Sequence, residues 1–323
     1  MRGFTQTRQI GIALPLAVMN RIRRQIGRYR TSGDRLLANA EGDGPSAFDA
    51  VPFLAWRGRR PPWRSSVVGA QGVSGTLLVM GSVTWGPEIA RVYDKTYAAK
   101  FEPSVLGPVV DLLADLARGG LALEFAAGTG RVALPLSARG IAVHGIELSP
   151  HMAEQLAAKP GAEAVPVTIG DMATTRVRST FRLVYLVANT IMNVTTQDDQ
   201  LAVFANAAAH LEPGGCFVVE VEVPQLRRVP PGEAGWVFTL DPDHVGIETF
   251  DDTAAQIAWS HHWMEVDGHL VRHSAPYRYV WPSELDLMAK IAGFRVRDRL
   301  AGWDRAPFTS GSHSQVAVFD KLP

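Results

Sequence analysis

The sequence predicts an α/β fold: a mostly parallel sheet with helices on both faces, followed by an antiparallel β insert. Three observations predict it. Between residues 121 and 223, short apolar runs alternate with helical stretches, the pattern of βαβ units. A glycine-containing turn, Gly128-Thr129-Gly130, joins the first apolar run to the helical stretch after it. After Pro224 the alternation stops, and strand-like runs follow one another.

Composition bounds the rest. The chain has 323 residues, 46% hydrophobic and 20% charged, enough for one large domain with a substantial core. Lys and Arg (32) balance Asp and Glu (32), so no global field favours nucleic acid. The single cysteine, Cys216, excludes a disulfide framework and a Cys-rich zinc site and fits a reducing cytoplasm. No apolar run reaches the roughly 18 residues of a membrane span. The expectation is a cytoplasmic protein without a membrane or nucleic-acid partner.

The charge balance conceals an asymmetry. Residues 1–79 hold twelve arginines and four acids, so the remainder carries eight net negative charges. Gly-, Pro- and Ser-rich patches occupy 41–46 and 57–66. This stretch reads as a poorly ordered Arg-rich extension, with Met80 a plausible alternative start; an export signal or a basic binding arm are the competing readings. The domain is then 80–323, with the antiparallel insert at 225–281.

Element by element, helices are expected at 88–99 and 104–117, where apolar residues recur at helical spacing. Strands follow at 121–127 and 142–148, separated by a helix at 131–139. A helix at 149–159 leads to strands at 165–169 and 183–187. A helix at 198–211 and a strand at 216–223 end the alternation, with Leu211-Glu212-Pro213-Gly214-Gly215 as the turn between them. The insert supplies strands at 236–240, 245–250, 256–266 and 269–280, with Asp267-Gly268 a favoured hairpin turn. Pro282 opens a helix that Gly293 closes. Strands at 295–301 and 314–320 complete the chain.

The glycine turn sits in Glu124-Phe125-Ala126-Ala127-Gly128-Thr129-Gly130-Arg131. Glycines there let the backbone turn tightly and approach a ligand outside the carboxyl end of the strand. Glu147, in Gly145-Ile146-Glu147-Leu148, ends the second strand about twenty residues on, where a carboxylate can accept both hydroxyls of a ribose. Gly128-Thr129-Gly130-Arg131-Val132-Ala133 also satisfies a dinucleotide pattern, so a nicotinamide-dependent oxidoreductase is an alternative. Glu124 weighs against it, because a carboxylate beside the turn repels a pyrophosphate and attracts a cation. After the third strand, Asp171 can accept from an adenine amino group, and Met172 can pack on the ring.

These motifs, in this order from about Trp85 to Leu322, resemble the class I S-adenosylmethionine-dependent methyltransferases. The resemblance implies a Rossmann-like, seven-stranded sheet whose last strand is antiparallel, with S-adenosyl-L-methionine as cofactor. It places Glu124 near the cofactor's methionine end, and Ala126, Gly128 and Gly130 in the cofactor turn. Ala126 stands where the fullest family pattern has glycine. Glu147 and Leu148 would meet the ribose, Met152, Asp171 and Met172 the adenine, and Asn189 the methionine moiety. The helix start at Gly130–Arg131 would suit the cofactor carboxylate. The implied activity is in-line transfer of a methyl group to a small molecule, with the insert as a lid. A non-catalytic module that keeps the cofactor fold is a further alternative.

Methyl transfer mainly needs alignment, and a base only for some acceptors. Counting outward from Asp267-Gly268 sets His262 opposite His273, a pair from which one could act as base. Tyr93 and Tyr97 share a helical face, and either hydroxyl could border the methyl site; Tyr97 is taken as a catalytic candidate. Two histidines without a third ligand do not make a metal site, and none is expected.

Overall fold

A computed structural model describes residues 82–229, 231–266 and 268–323. The expected extension at 1–79 and residue 80 therefore lie outside the described residues.

Two helices lead in: α1 (Pro87–Thr96), extended by a 3-10 turn at Ala98–Phe101, and α2 (Pro103–Ala117). The strands and helices that follow are β1 (Ala122–Phe125), α3 (Ala133–Ala138), β2 (Val143–Glu147), α4 (Pro150–Ala157) and β3 (Val167–Ile169). Then come β4 (Phe181–Leu186), α5 (Gln197–His210) and β5 (Leu211–Glu222). The insert is β6 (Gly235–Leu240), β7 (His244–Asp252), β8 (Ile257–Val266) and β9 (His269–Arg278). The chain closes with α6 (Pro282–Ile291), β10 (Phe294–Leu300) and β11 (Ser314–Lys321).

The strands form a seven-stranded sheet of order β10-β11-β5-β4-β1-β2-β3 and a separate four-stranded sheet of order β6-β7-β8-β9. Neighbours from β5 to β3 pair in parallel, whereas β11 runs antiparallel to both β5 and β10. The expected seven strands with an antiparallel last strand are thus present, and so is the antiparallel insert.

Side-chain alternation along the strands divides the core in two. Leu183 and Tyr185 of β4 pack with Leu106, Val109 and Leu113 of α2 and with Leu136 of α3. Val184 and Leu186 face the other way, onto Val203, Phe204 and Ala207 of α5 and Leu285 of α6. Tyr185, Phe217 and Phe319 are among the largest fully buried side chains. Each aromatic of this kind contributes about 3–5 kcal/mol against truncation to Ala.

Three of the boundaries that differ from expectation have a clear physical reason. The helix after the glycine turn starts at Ala133 rather than at residue 131 and has only six residues. Gly130 sits at φ +82°, outside the right-handed helical region, so the chain turns before the helix begins. An anion-binding helix start at Gly130–Arg131 is therefore not formed. The expected turn at 211–215 is instead the beginning of β5: Leu211 already pairs with Phe181, and the register slips between Phe181 and Leu183 to absorb the extra residues. The first helix ends at Thr96 and tightens into the 3-10 turn.

Candidate active site

A cavity of about 560 Å³ opens at the carboxyl ends of β1 and β2. Ala126 and Gly128 line it from the first turn, and Ile146, Glu147 and Leu148 from the end of β2. Met152 reaches it from α4, and Gly170, Asp171 and Met172 from the segment after β3. Thr190 and Asn193 close it from the 3-10 turn after β4. The leading segment supplies Ser82, Val83, Trp85 and Tyr93 as the facing wall.

Glu147 organises the floor. It is 5% exposed, and its oxygens accept the backbone N–H groups of Gly128 at 2.7 Å and Ser149 at 2.8 Å. Burial pushes its carboxyl up, and hydrogen bonds from Ser149, Gly128 and Leu148 oppose that shift. The second lone pair of each oxygen is still able to accept from a ligand hydroxyl. Asp171 stands opposite with one oxygen held by the Ala173 N–H at 2.8 Å.

The turn needs its glycines for space and sign of φ. Gly128 is at φ +58°, and a Cβ on Gly130 would lie 2.8 Å from Leu156. Ala126 adopts φ +54° with its Cβ present. That geometry costs about 1–2 kcal/mol for a non-glycine residue, which explains why glycine suits this position.

Helix α1 is fastened over the cavity. Thr129 donates its hydroxyl to Asp94 at 2.5 Å, and Lys159 pairs with Asp94 and donates to the Thr129 carbonyl at 2.6 Å. Ser149 donates to the Trp85 carbonyl at 2.6 Å, and Val83 N–H to the Asn193 carbonyl at 2.9 Å. The Tyr93 and Tyr97 rings lie 4.8 Å apart, tilted by 54°, but only Tyr93 faces the cavity. Burial pushes the Tyr93 hydroxyl up to about 12, so it stays protonated as a donor.

Three residues expected at the cofactor are not among the walls: Glu124, Gly130 and Asn189. Glu124 is 2% exposed and alternates onto the sheet face covered by α2 and α3. Its carboxyl accepts from the Tyr185 hydroxyl at 3.1 Å, and burial raises it to about 8 against the pull of Arg131. Gly130 packs between Leu156 of α4 and Leu134 of α3. Asn189, at φ +62°, turns toward β5, where its amide donates to Glu222 at 2.5 Å and its carbonyl accepts the Glu222 N–H at 2.7 Å. Glu220 similarly holds the Ala188 N–H at 2.7 Å.

The insert register places His262 opposite His273, as counted from the turn; Asp267 itself lies outside the described residues. His262 has both ring nitrogens engaged, with Ser260 at 2.9 Å and His244 at 2.8 Å, and burial drives it down to about 4. His273 lies against the ring of Trp85 at 4.9 Å, and its buried Nε2 has no hydrogen-bond partner among the described residues. Neither imidazole lines the cavity. Among the described residues, no cluster of three or more His, Cys, Asp and Glu could hold a metal ion, and no helix is long and apolar enough to cross a membrane.

Sequence reasoning missed the walls supplied by Ser82, Val83 and Trp85, which become visible only when the leading segment folds back over β2. The one available signal for Trp85 was its position just before a Gly-Pro helix start.

Comparisons with known proteins agree with the fold. Residues 122–215 match the family model described as a methyltransferase domain. The CcbJ methyltransferase structure from Streptomyces caelestis superimposes with a TM-score of 0.65 at 32% identity, covering 73% of this chain and 96% of that one. A cypemycin N-terminal methyltransferase from Streptomyces sp. is 26% identical over 239 residues, 71% of this chain and 98% of the relative. A dTDP-4-amino-2,3,4,6-tetradeoxy-D-glucose N,N-dimethyltransferase from Saccharopolyspora spinosa is 33% identical over 151 residues, 46% of this chain and 59% of the relative.

Proposed function

The chain belongs to the class I S-adenosylmethionine-dependent methyltransferases, and from that premise we propose that it methylates a nitrogen of a small-molecule acceptor. The nitrogen is suggested by the relatives, one named an N-terminal methyltransferase and another an N,N-dimethyltransferase of a dTDP-amino sugar. The observation that carries the methyl-transfer reading is Glu147, whose buried carboxylate stands in a cavity shared with Asp171 and Met172.

These residues fit the cofactor. Glu147 offers a carboxylate to the ribose hydroxyls, Asp171 an acceptor to the adenine amino group, and Met152 and Met172 apolar surfaces to the ring faces. When bound, S-adenosylmethionine supplies a methyl group on a sulfonium, and the departing sulfur leaves as a neutral thioether without needing an acid. The chain's part is alignment: Tyr93, Thr190 and Asn193 wall the same cavity as Asp171 and can hold an acceptor against the cofactor. The acceptor enters between the four-stranded insert and the parallel sheet.

The test is equilibrium binding followed by turnover. Full-length protein is expected to bind S-adenosylhomocysteine and not NADH, and to convert S-adenosylmethionine to S-adenosylhomocysteine when offered peptides with free N-termini or amino sugars. Binding of NADH, or of neither ligand, would remove the reading; binding without turnover on any amine would leave a non-catalytic module.

A further inference from the structure

A second cleft, of about 320 Å³, lies between the insert and the carboxyl end of β5. Its walls include Met192, Glu222, Trp236, Glu248, Phe250 and Tyr277. It adjoins the first cavity through the 190–193 turn: Met192 faces the second cleft, while Thr190 and Asn193 face the first. An acceptor seated here has only that turn to cross.

The register explains why the cleft exists. Glu248 of β7 pairs with Ser260 of β8, which pairs with Ala275 of β9; Phe250, Ala258 and Tyr277 form the adjacent row on the same face. Small side chains (Ala258, Ser260, Ala275) thus alternate with large ones, leaving a floor between aromatic walls.

The chemistry of those walls is selective. Glu248 accepts from Trp236 Nε1–H at 2.9 Å, and Tyr277 lines the same cleft beside it. Glu222, held by Asn189, brings a second carboxylate to the same cleft. Burial pushes the Glu248 carboxyl up, and the charge of Glu222 adds to the shift. Two carboxylates facing one cleft repel, and a cation there relieves the repulsion and, at half-buried Glu248, the desolvation. Aromatic faces favour the same occupant: the Arg228 guanidinium already rests 5.3 Å from the Trp236 ring.

We propose that this cleft binds the acceptor as a primary or secondary alkylammonium, with Glu248 as the group that receives the nitrogen's proton and the rings of Trp236 and Tyr277 as the walls that hold it. The proposal rests on the methyltransferase reading and deepens it by naming the acceptor class and its seat. The balance is simple. The ammonium N–H bond breaks, its proton passes to a Glu248 oxygen, and the freed lone pair is what takes the methyl group. An alcohol of the same shape brings no charge to Glu248 and binds more weakly.

The experiment is calorimetric titration of the full-length protein, saturated with S-adenosylhomocysteine, with benzylamine and with benzyl alcohol as probes. Benzylamine is expected to bind at least about tenfold more tightly than benzyl alcohol, an ordinary margin for one charge-assisted contact. Glu248→Gln is expected to lose that preference while keeping its affinity for S-adenosylhomocysteine. Tyr277→Phe, which keeps the ring, tests the same seat by weakening the amine several-fold should Glu248→Gln fail to fold. Equal binding of the two probes, or no binding of either, overturns the proposal; so does an amine preference that survives in folded Glu248→Gln. Failure of S-adenosylhomocysteine to bind at the start would instead remove the parent reading.

Discussion

Glu147 holds the Gly128 amide at 2.7 Å, so the end of the second strand and the turn after the first form one hydrogen-bonded unit. The same carboxylate takes the Ser149 amide at the start of α4. One residue therefore shapes the cavity and also offers the acceptor that a ribose needs. Glu147→Ala removes both functions and is expected to weaken S-adenosylhomocysteine binding about a hundredfold or more, since charge-assisted hydrogen bonds are worth roughly 1.5–3 kcal/mol each. Glu147→Gln keeps an acceptor oxygen and is expected to fall between the variant and the wild type. Calorimetry with S-adenosylhomocysteine reads the order; equal affinities for all three proteins would refute the role.

The buried Glu124 makes a different prediction. Its carboxyl is raised to about 8 by burial, above the ordinary value of 4.5. In the unfolded chain it ionises near the ordinary value. Between those two values the folded protein holds a proton that the unfolded chain has released, so this residue's contribution to stability falls as pH rises across that window. Glu124→Gln cannot titrate and is expected to flatten the decline. Urea midpoints measured from pH 5 to pH 8.5 check it, read as the difference between variant and wild type because Glu147 and Glu248 are also raised. Parallel curves would show that Glu124 is already ionised in the fold.

The fold was legible because it is written in two periods. The short, mostly apolar strand segments around β1, β2 and β4 and the helical spacing of α2 follow directly from burial on both faces of a sheet. The walls formed by Gly128, Glu147, Asp171 and Met172 were legible for a related reason: the ends of consecutive parallel strands converge on one crevice. Glu124 was not legible. Its side of the strand depends on pleat parity, and one residue's difference turns a carboxylate from the ligand to the core. Asn189 and Glu222 were not legible either, since their reciprocal bond joins residues 33 apart through a left-handed turn. Glu248 escaped notice because its neighbours in the cleft, Trp236 and Tyr277, come from two other strands of the insert.

The root of the insert depends on Arg278 and Glu284. The two pair at 2.6 Å with side chains 5% and 12% exposed, and Arg278 also donates to Gln200 at 2.5 Å and to Gln256 at 3.2 Å. Burial opposes ionisation of Glu284, yet hydrogen bonds from Gln256, Arg278 and Gln197 hold its carboxyl below the ordinary value. Arg278→Met strands that charge and is expected to cost about 3–5 kcal/mol. Arg278→Met combined with Glu284→Leu removes both members and is expected to recover most of the loss, a non-additivity that chemical denaturation of the four proteins measures directly. Because the folded carboxyl is depressed, the pair's contribution is present above the ordinary carboxylate value and fades as pH falls through the folded one.

His273 separates two roles by kinetics. Burial lowers its imidazole, so at neutral pH the ring is uncharged, with Nε2 buried and unpartnered among the described residues and its face on Trp85. As a general base it would be worth about 10²–10⁴ in kcat, and its removal would abolish an acid limb in the pH profile. The packing on Trp85, which walls the cofactor cavity, predicts something else. His273→Gln should weaken S-adenosylhomocysteine binding several-fold, lower kcat by less than about tenfold, and leave the acid limb in place. His262→Gln, which breaks the contacts to Ser260 and His244, should act on stability rather than on the limb. A loss of the acid limb in His273→Gln together with a hundredfold fall in kcat would return the base to His273 and take it from Glu248.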